Sequence, residues 1–179
     1  MIQRLLLVPV WMLSFFCSAQ DIKVDHDPGM DLTNYKTFKF GEGEIITPKD
    51  QRQVPDSILH QWVRVAVVEE LAKKGLIQTD TAADLVVSYI TGSQMRSDAG
   101  KYGPLGLTPG ANPSQTYQRD FRQGNLVVDL NDPRSNKLVW RVNATMNTNN
   151  PDLEGIISQI VVKGFKKFSI KPKREKRKK

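Results

Sequence analysis

Reactive cysteine and histidine side chains are scarce in this sequence. Its 179 residues include one cysteine and two histidines. Cleavage of the chain after Ala19 would leave a protein with no cysteine, and therefore with no disulfide, thiolate nucleophile or cysteine metal ligand. A domain without disulfides has to be stabilised by its hydrophobic core.

Apolar runs long enough to span a bilayer are also lacking. The longest run, 5–16, has twelve residues, whereas a transmembrane helix needs about 20. It follows Arg4 and precedes the small residues Cys-Ser-Ala at 17–19, an arrangement typical of a secretory signal. We therefore expect residues 1–19 to be a cleaved signal peptide, and the protein to be exported to the periplasm or to the outer membrane.

Cys17 offers a second way to process the leader. A bacterial lipoprotein is cut just before a cysteine that is then acylated, and the residue before that cysteine is small. Here Phe15 and Phe16 precede the cysteine. Because two bulky aromatic residues fit that cleavage poorly, we favour cleavage after Ala19 over a lipid anchor at Cys17.

Positive charge is concentrated at the C-terminus. Of the net charge of +7, segment 171–179 contributes +6 and Arg4 contributes +1, which leaves 18 basic and 18 acidic residues in 20–170. We expect the tail to be disordered, or to contact an anionic membrane or cell-surface polymer. Export and the absence of interleaved aromatic residues argue against nucleic acid. The basic residues of the tail are Lys171, Lys173, Arg174, Lys176, Arg177, Lys178 and Lys179.

Residues 20–170 have the length of a single domain. Their apolar patterning predicts the element order β-β-α-β-β-β-α. The predicted strands lie at 21–26, 35–40, 83–91, 117–130 and 138–147; the predicted helices start at N-caps Asp56 and Asp152, and the first ends at Gly75. We expect an α+β domain with two helices packed on one face of a mostly antiparallel sheet of about five strands.

Two regions do not fit regular elements. Segment 41–55 is polar and rich in turn residues. Segment 92–116 contains five glycines and three prolines, which predicts a long loop that is either functional or disordered. The candidate partner or ligand residues of this loop are Met95, Tyr102, Leu105 and Leu107.

The strand at 117–130 changes its apolar face near its middle. Tyr117 and Phe121 share one face, whereas Leu126 and Val128 share the other. A β-bulge at or near Gly124 would reconcile the two halves. The strictly alternating strand at 138–147 is expected to pair with this strand as an antiparallel hairpin.

The two histidines give little indication of a metal site. Asp25 and Asp27 flank His26, but neighbouring side chains of a strand point to opposite faces. A strand end with solvated charges is therefore the favoured interpretation of this triplet. His60 lies beside Gln61 on the first helix and is expected at the surface.

Asp129 and Asp132 flank a predicted turn close to Asp120. Paired carboxylates can perform acid–base chemistry or bind calcium. Turns attract aspartate for local hydrogen bonding, so we favour a turn role here. Trp140 alternates with core residues and is expected to pack in the core. No catalytic, cofactor-binding or metal-ligating residue is assigned, and no cofactor is expected.

Four blocks of the chain resemble the family called domain of unknown function 4136, over residues 22–168. These blocks are Val24-Asp25-His26-Asp27 with Tyr35-Lys36-Thr37-Phe38, Leu71-Ala72-Lys73-Lys74-Gly75, Ala83-Asp84-Leu85-Val86-Val87-Ser88-Tyr89, and Gly124 to Leu130 followed by Lys137 to Arg141. The resemblance implies a small bacterial envelope protein, often a lipoprotein, with no established activity and no catalytic residues to transfer. Two features depart from the family pattern: Ser169 follows Phe168 where Phe-Pro-Pro is common, and no proper lipobox precedes Cys17.

The leading functional hypothesis is an exported, non-catalytic domain that binds or scaffolds an unknown envelope protein or ligand. It rests on the leader, the lack of a catalytic cluster and the family resemblance. Two alternatives stay open: a carboxylate-based envelope hydrolase, and an adaptor that attaches to anionic envelope surfaces through its basic tail.

Overall fold

A six-stranded mixed sheet carries two helices in the computed structural model, which describes residues 21–101 and 116–171. The strands are β1 (Asp21–Asp25), β2 (Thr37–Ile45), β3 (Ile77–Gln78), β4 (Leu85–Lys101), β5 (Thr116–Asp132) and β6 (Lys137–Asn147), and the helices are α1 (Asp56–Lys74) and α2 (Leu153–Gly164). Their order across the sheet is β1-β6-β5-β4-β2-β3. The predicted α+β class with two helices is confirmed.

The sheet is mixed because β2 runs parallel to both β3 and β4, while the other pairs are antiparallel. A parallel pair needs a crossover connection, which α1 supplies between β2 and β4. The expectation of about five mostly antiparallel strands was therefore only roughly right. It missed β3, a two-residue strand too short to produce a periodic pattern.

One face of the sheet and the facing sides of both helices form the core. Alternate strand residues point into it, as the period of two requires. The fully buried strand and helix side chains include Leu85, Val87, Leu126, Val128, Leu130, Val142, Val63, Val67, Leu71, Ile160 and Val161. Trp140 is 1% exposed, which confirms that it packs in the core.

The expected loop at 92–116 is wrong for the residues that the structure describes. β4 continues to Lys101, β5 begins at Thr116, and the two strands pair in one unbroken register from Val86↔Asn131 to Lys101↔Thr116. A Cβ on Gly92 would lie 2.4 Å from Ile46 Cγ1, so this glycine permits close packing within a strand. Met95 is thus a strand residue, and Tyr102, Leu105 and Leu107 lie outside the described residues.

The expected bulge at Gly124 is also wrong. The ladder between β5 and β6 is regular there and shifts instead between Leu130 and Asn131, where Val139 is the extra residue. Gly124 serves close packing, because a Cβ would lie 2.4 Å from Thr148 Cγ2. Phe121 consequently points to the face opposite to that of Leu126.

Segment 41–55 is more regular than expected, since β2 extends to Ile45 along β4. Its glycines leave room for side chains of the neighbouring strand: a Cβ on Gly43 would lie 2.3 Å from the Tyr89 ring. The turn-forming composition of this segment therefore led to an incorrect prediction, because its glycines are required by packing within a strand.

The helix ends follow the predictions in part. Asp152 caps α2 by accepting a hydrogen bond from Gly155 N at 2.9 Å, and Gly75 ends α1 with a φ of 97°, as expected. The N-cap of α1 is Pro55, not Asp56, and Pro55 makes no side-chain cap bond. Asp56 is instead the first helical residue, and its carboxylate binds the guanidinium of Arg52.

The predicted signal peptide and residues 172–179 of the basic tail lie outside the described residues, and both assignments stay predictions. Within the described ranges, neither helix is long and apolar enough to cross a membrane.

Candidate functional site

The β4–β5 hairpin extends beyond the rest of the sheet. β2 pairs with β4 only as far as Thr91, and β6 pairs with β5 only from Gln123 onward. In the described part of the chain, residues 95–101 and 116–122 therefore form ladder pairs only with each other. We call these seven pairs the β-arm; at about 3.3 Å per residue they span about 23 Å.

The root of the β-arm is fixed to the body through Arg122. Its side chain donates a hydrogen bond from Nη1 to Gln51 O at 2.6 Å. Its backbone O accepts from Thr148 N at 3.0 Å, and its backbone N donates to Asn149 Oδ1 at 3.3 Å. The arm is thus held both by the turn before α1 and by the end of β6.

The described side chains of the β-arm mix apolar and polar groups. Met95 is 56% exposed, and Arg96 and Ser97 are exposed beside it. Ser97 Oγ donates to the Asp120 carboxylate across the arm. Phe121, the cross-strand neighbour of Arg96, is half-buried. The sequence indicated Met95 as a candidate contact residue. It did not indicate Phe121, because the incorrectly assigned bulge would have placed this residue on the same face as Leu126.

An apolar cleft of about 480 Å³, including space open to solvent, lies beside the root of the β-arm. It opens between the first turns of both helices, the ends of β2 and β6, and the middle of β4. Its apolar walls are formed by Ile45, Val54, Leu59, Met146, Leu153 and Ile157. Its threonine hydroxyls are bonded to backbone: Thr91 donates to Asn125 O at 3.0 Å and Thr148 to Arg122 O at 3.2 Å. The cleft can therefore offer mainly apolar contacts.

The two candidate carboxylates of the β5–β6 hairpin each have structural partners. Asp129 receives hydrogen bonds from Arg141 Nε at 2.7 Å and Nη2 at 2.6 Å, and this pairing raises the pKa of Arg141. Asp132 accepts from Arg134 N at 2.8 Å and Ser135 Oγ at 2.9 Å, so the turn interpretation is correct for it. Those bonds, led by the Arg134 amide, lower the pKa of Asp132.

Asp84 is a structural centre that the sequence reasoning missed. Its Oδ2 accepts from Lys36 N at 2.9 Å and from Thr37 N at 3.1 Å, and its other oxygen pairs with the Arg134 guanidinium. These donors, led by the Lys36 amide, lower the pKa of Asp84. The carboxylate ties the start of β2 to the start of β4. The sequence feature that could have indicated this role is an aspartate directly before a buried strand.

The two histidines occupy different environments. His26 is exposed, with its ring 4.4 Å from that of Trp140. His60 is half-buried and its Nδ1 lies 2.6 Å from Tyr89 Oη, so the expected surface position is only partly correct. Burial raises the pKa of Tyr89. Among the described residues, no three His, Cys, Asp or Glu side chains converge in a way that could hold a metal ion.

Comparison with known proteins gives a family match and several similar folds. The family model described as Domain of unknown function (DUF4136) matches residues 22–168. A DUF4136 family protein from Bacteroides thetaiotaomicron is similar in structure, with a TM-score of 0.52 and 13% identity over 85% of this chain and 98% of that one. A PDZ domain protein from Parabacteroides distasonis has a TM-score of 0.55 at 14% identity, covering 87% of this chain but 36% of that one.

These similarities concern the fold alone, since the identities are low. The PelC dodecamer from Paraburkholderia phytofirmans, with a TM-score of 0.48 and 11% identity over 82% of this chain and 94% of that one, is too distant to support an argument. A search of curated proteins found no match.

Proposed function

Because this chain belongs to the DUF4136 family of domains of unknown function, we propose that it is an exported bacterial envelope protein whose domain binds or scaffolds another envelope molecule without catalysis. The β-arm makes this contact. The observation that carries the proposal is the extension of β4 and β5 by seven residue pairs beyond their neighbouring strands.

The physical properties of a two-stranded arm favour the binding of a partner. Isolated two-stranded hairpins are marginally stable in water, because one pair of strands buries little apolar surface. The outer edges of both arm strands also carry backbone N–H and C=O groups without ladder partners among the described residues. A strand added to an edge would satisfy these backbone groups. Side chains of a partner packed around the exposed Met95 would cover its apolar surface.

The carboxylate-based hydrolase has less support. A general acid at neutral pH needs a raised pKa. The hydrogen bonds around Asp84 and Asp132 lower their pKa values instead, and Asp129 is engaged by a guanidinium. These groups are arranged as structural acceptors, which favours a binding role for the domain.

Export is supported by the leader and can be tested directly. We expect the mature protein to begin at Gln20 and to fractionate with the periplasm or the outer membrane. N-terminal sequencing of the protein recovered from fractionated cells checks both points. An unprocessed chain in the cytosol would contradict the export proposal, and an acylated Cys17 would restore the lipid anchor.

Site-specific photo-cross-linking in intact cells tests the role of the β-arm. A photoreactive phenylalanine analogue replaces Met95, and a control carries the same analogue at Val65, which is 46% exposed on α1. We expect a discrete adduct from position 95 and none from position 65. Equal labelling at both positions, or no adduct at position 95, would reject the arm as the binding element.

A further inference from the structure

The first and last turns of the two helices carry opposite charges. The first turn of α1 contains Asp56 and that of α2 contains Glu154, whereas lysines occupy both last turns. The first turns meet at the apolar cleft, and Lys74 Nζ at the end of α1 donates to Lys166 O just after α2 at 3.4 Å. The helices thus run in the same direction, and the lysines complement both negative dipole ends.

The lysines at these helix ends form one surface, which we call the basic end. It comprises Lys73, Lys74, Lys163, Lys166, Lys167 and Lys171. Glu70 partly neutralises it, with Oε2 3.8 Å from Lys73 Nζ and Oε1 3.5 Å from Lys74 Nζ. Among the described residues, no carboxylate lies within ion-pair distance of Lys166 or Lys167, and both are exposed.

A shallow groove joins the basic end to the edge strand β1. Lys163, Lys166 and Lys167 line it together with Asp21, Ile22 and Val24 of β1. The Asp21 carboxylate lies 3.7 Å from Lys23 Nζ, and Ile22 and Val24 contribute apolar surface. Val24 is 37% exposed. Apolar side chains beside a row of lysines match the interface of a bilayer, where anionic headgroups lie next to hydrocarbon.

The described part of the chain ends at this surface. Ile170 lies against the end of α1, since a Cβ on Gly75 would be 3.5 Å from its Cδ1. The chain continues beyond Lys171 with six basic residues and one glutamate in 172–179. Residues 20–170 carry no net charge in total, but five of their lysines lie at the basic end.

We propose that the basic end is a docking surface for the anionic headgroups of a lipid bilayer. This inference deepens the proposed function and rests on it, because an envelope location brings the protein to such a surface. Ile22 and Val24 on β1 favour a bilayer over a free polyanion, because these apolar side chains would contribute nothing to the binding of a polyanion.

Vesicle co-sedimentation of the mature chain, beginning at Gln20, tests the proposal. The vesicles are phosphatidylcholine alone or an equal mixture of phosphatidylcholine and phosphatidylglycerol. The variant Lys166→Gln with Lys167→Gln is compared with a control of equal charge loss outside both the basic end and the β-arm, Lys39→Gln with Lys49→Gln. All proteins keep the same tail, so binding through that segment is common to them.

We expect the Lys166/Lys167 variant to bind the anionic vesicles about 30-fold more weakly than the unaltered chain, and the control to bind within about threefold of it. Binding to neutral vesicles should not differ among the three proteins. Equal losses in variant and control would show a net-charge effect only and overturn the proposal. An unchanged affinity of the Lys166/Lys167 variant, or equally tight binding of duplex DNA in competition, would overturn it as well.

This outcome can be separated from that of the cross-linking experiment. Vesicle binding requires neither export nor a protein partner. Failure at the basic end therefore leaves the role of the β-arm untouched, and failure of the Met95 adduct leaves the lipid surface untouched.

Discussion

The β4–β5 hairpin contains two halves that share one register but differ in what covers them. In the half formed by 86–91 and 126–131, alternate side chains are buried under the helices. In the β-arm, the described side chains are mostly exposed, and each strand has one ladder partner among the described residues. Because the backbone pairing is continuous, we expect the two halves to differ in stability through side-chain packing and not through the ladder.

Truncation in the covered half should have the largest effect. Leu126 is fully buried between the sheet and the helices, and Leu126→Ala should reduce the free energy of unfolding by about 3 kcal/mol. Chemical denaturation monitored by tryptophan fluorescence measures this loss. A cost below about 1 kcal/mol would mean that this half is not the packed body described above.

Removing the Asp84 carboxylate should have the next largest effect. Asp84→Asn is expected to cost about 2 kcal/mol at neutral pH, because an amide replaces a charged acceptor of several hydrogen bonds. The folded pKa of Asp84 is lowered, so its contribution is present above the pKa of an unfolded aspartate, about 3.9, and is lost as the pH falls through the folded pKa.

The pH dependence provides the check for Asp84. Denaturation curves of the variant and the unaltered chain should differ most near pH 7 and converge toward about pH 2. A difference that stays constant across this range would contradict the ionic role of the carboxylate.

Gly164→Ala separates packing from helix propensity. Alanine normally stabilises a helix by about 1 kcal/mol relative to glycine. Here the added Cβ would lie 2.4 Å from Val142 Cγ1, and this overpacking costs about 2 kcal/mol, so we expect a net loss of about 1 kcal/mol. A stabilised variant in thermal denaturation would show that α2 packs less closely on β6 than described.

The smallest effect is expected on the β-arm. Met95→Ala removes an exposed side chain and should change the free energy of unfolding by less than about 0.5 kcal/mol. The matched comparison is Leu126→Ala in the covered half, measured under the same denaturing conditions. A loss similar to that of Leu126→Ala would mean that the arm contributes to the core and is not a free surface.

The sequence predicted best where one physical effect determined the pattern. The strict alternation along β6, the cap at Asp152 and the glycine at the end of α1 each follow from a local rule. The predictions failed where glycine had a tertiary role: Gly43, Gly92 and Gly124 lie in strands because neighbouring side chains occupy the space of a Cβ. Composition alone would assign such glycines to turns.

The candidate site was predicted only as a region. The sequence singled out Met95 and the segment around it, but it placed them in a loop, because the pairing of β4 with β5 depends on contacts between residues distant in the chain. The basic end was missed for the same reason, since it joins lysines from two helices. The role of Asp84 likewise depends on amides 47 and 48 residues away.

Native-state amide hydrogen exchange on the isolated protein tests the central claim most directly. We predict that amides of 87–91 exchange only by global unfolding, while hydrogen-bonded amides of 95–97 exchange at least about 1000-fold faster through local opening of the β-arm. Equal protection of the two segments would contradict the account, because the arm would then be part of the stable body.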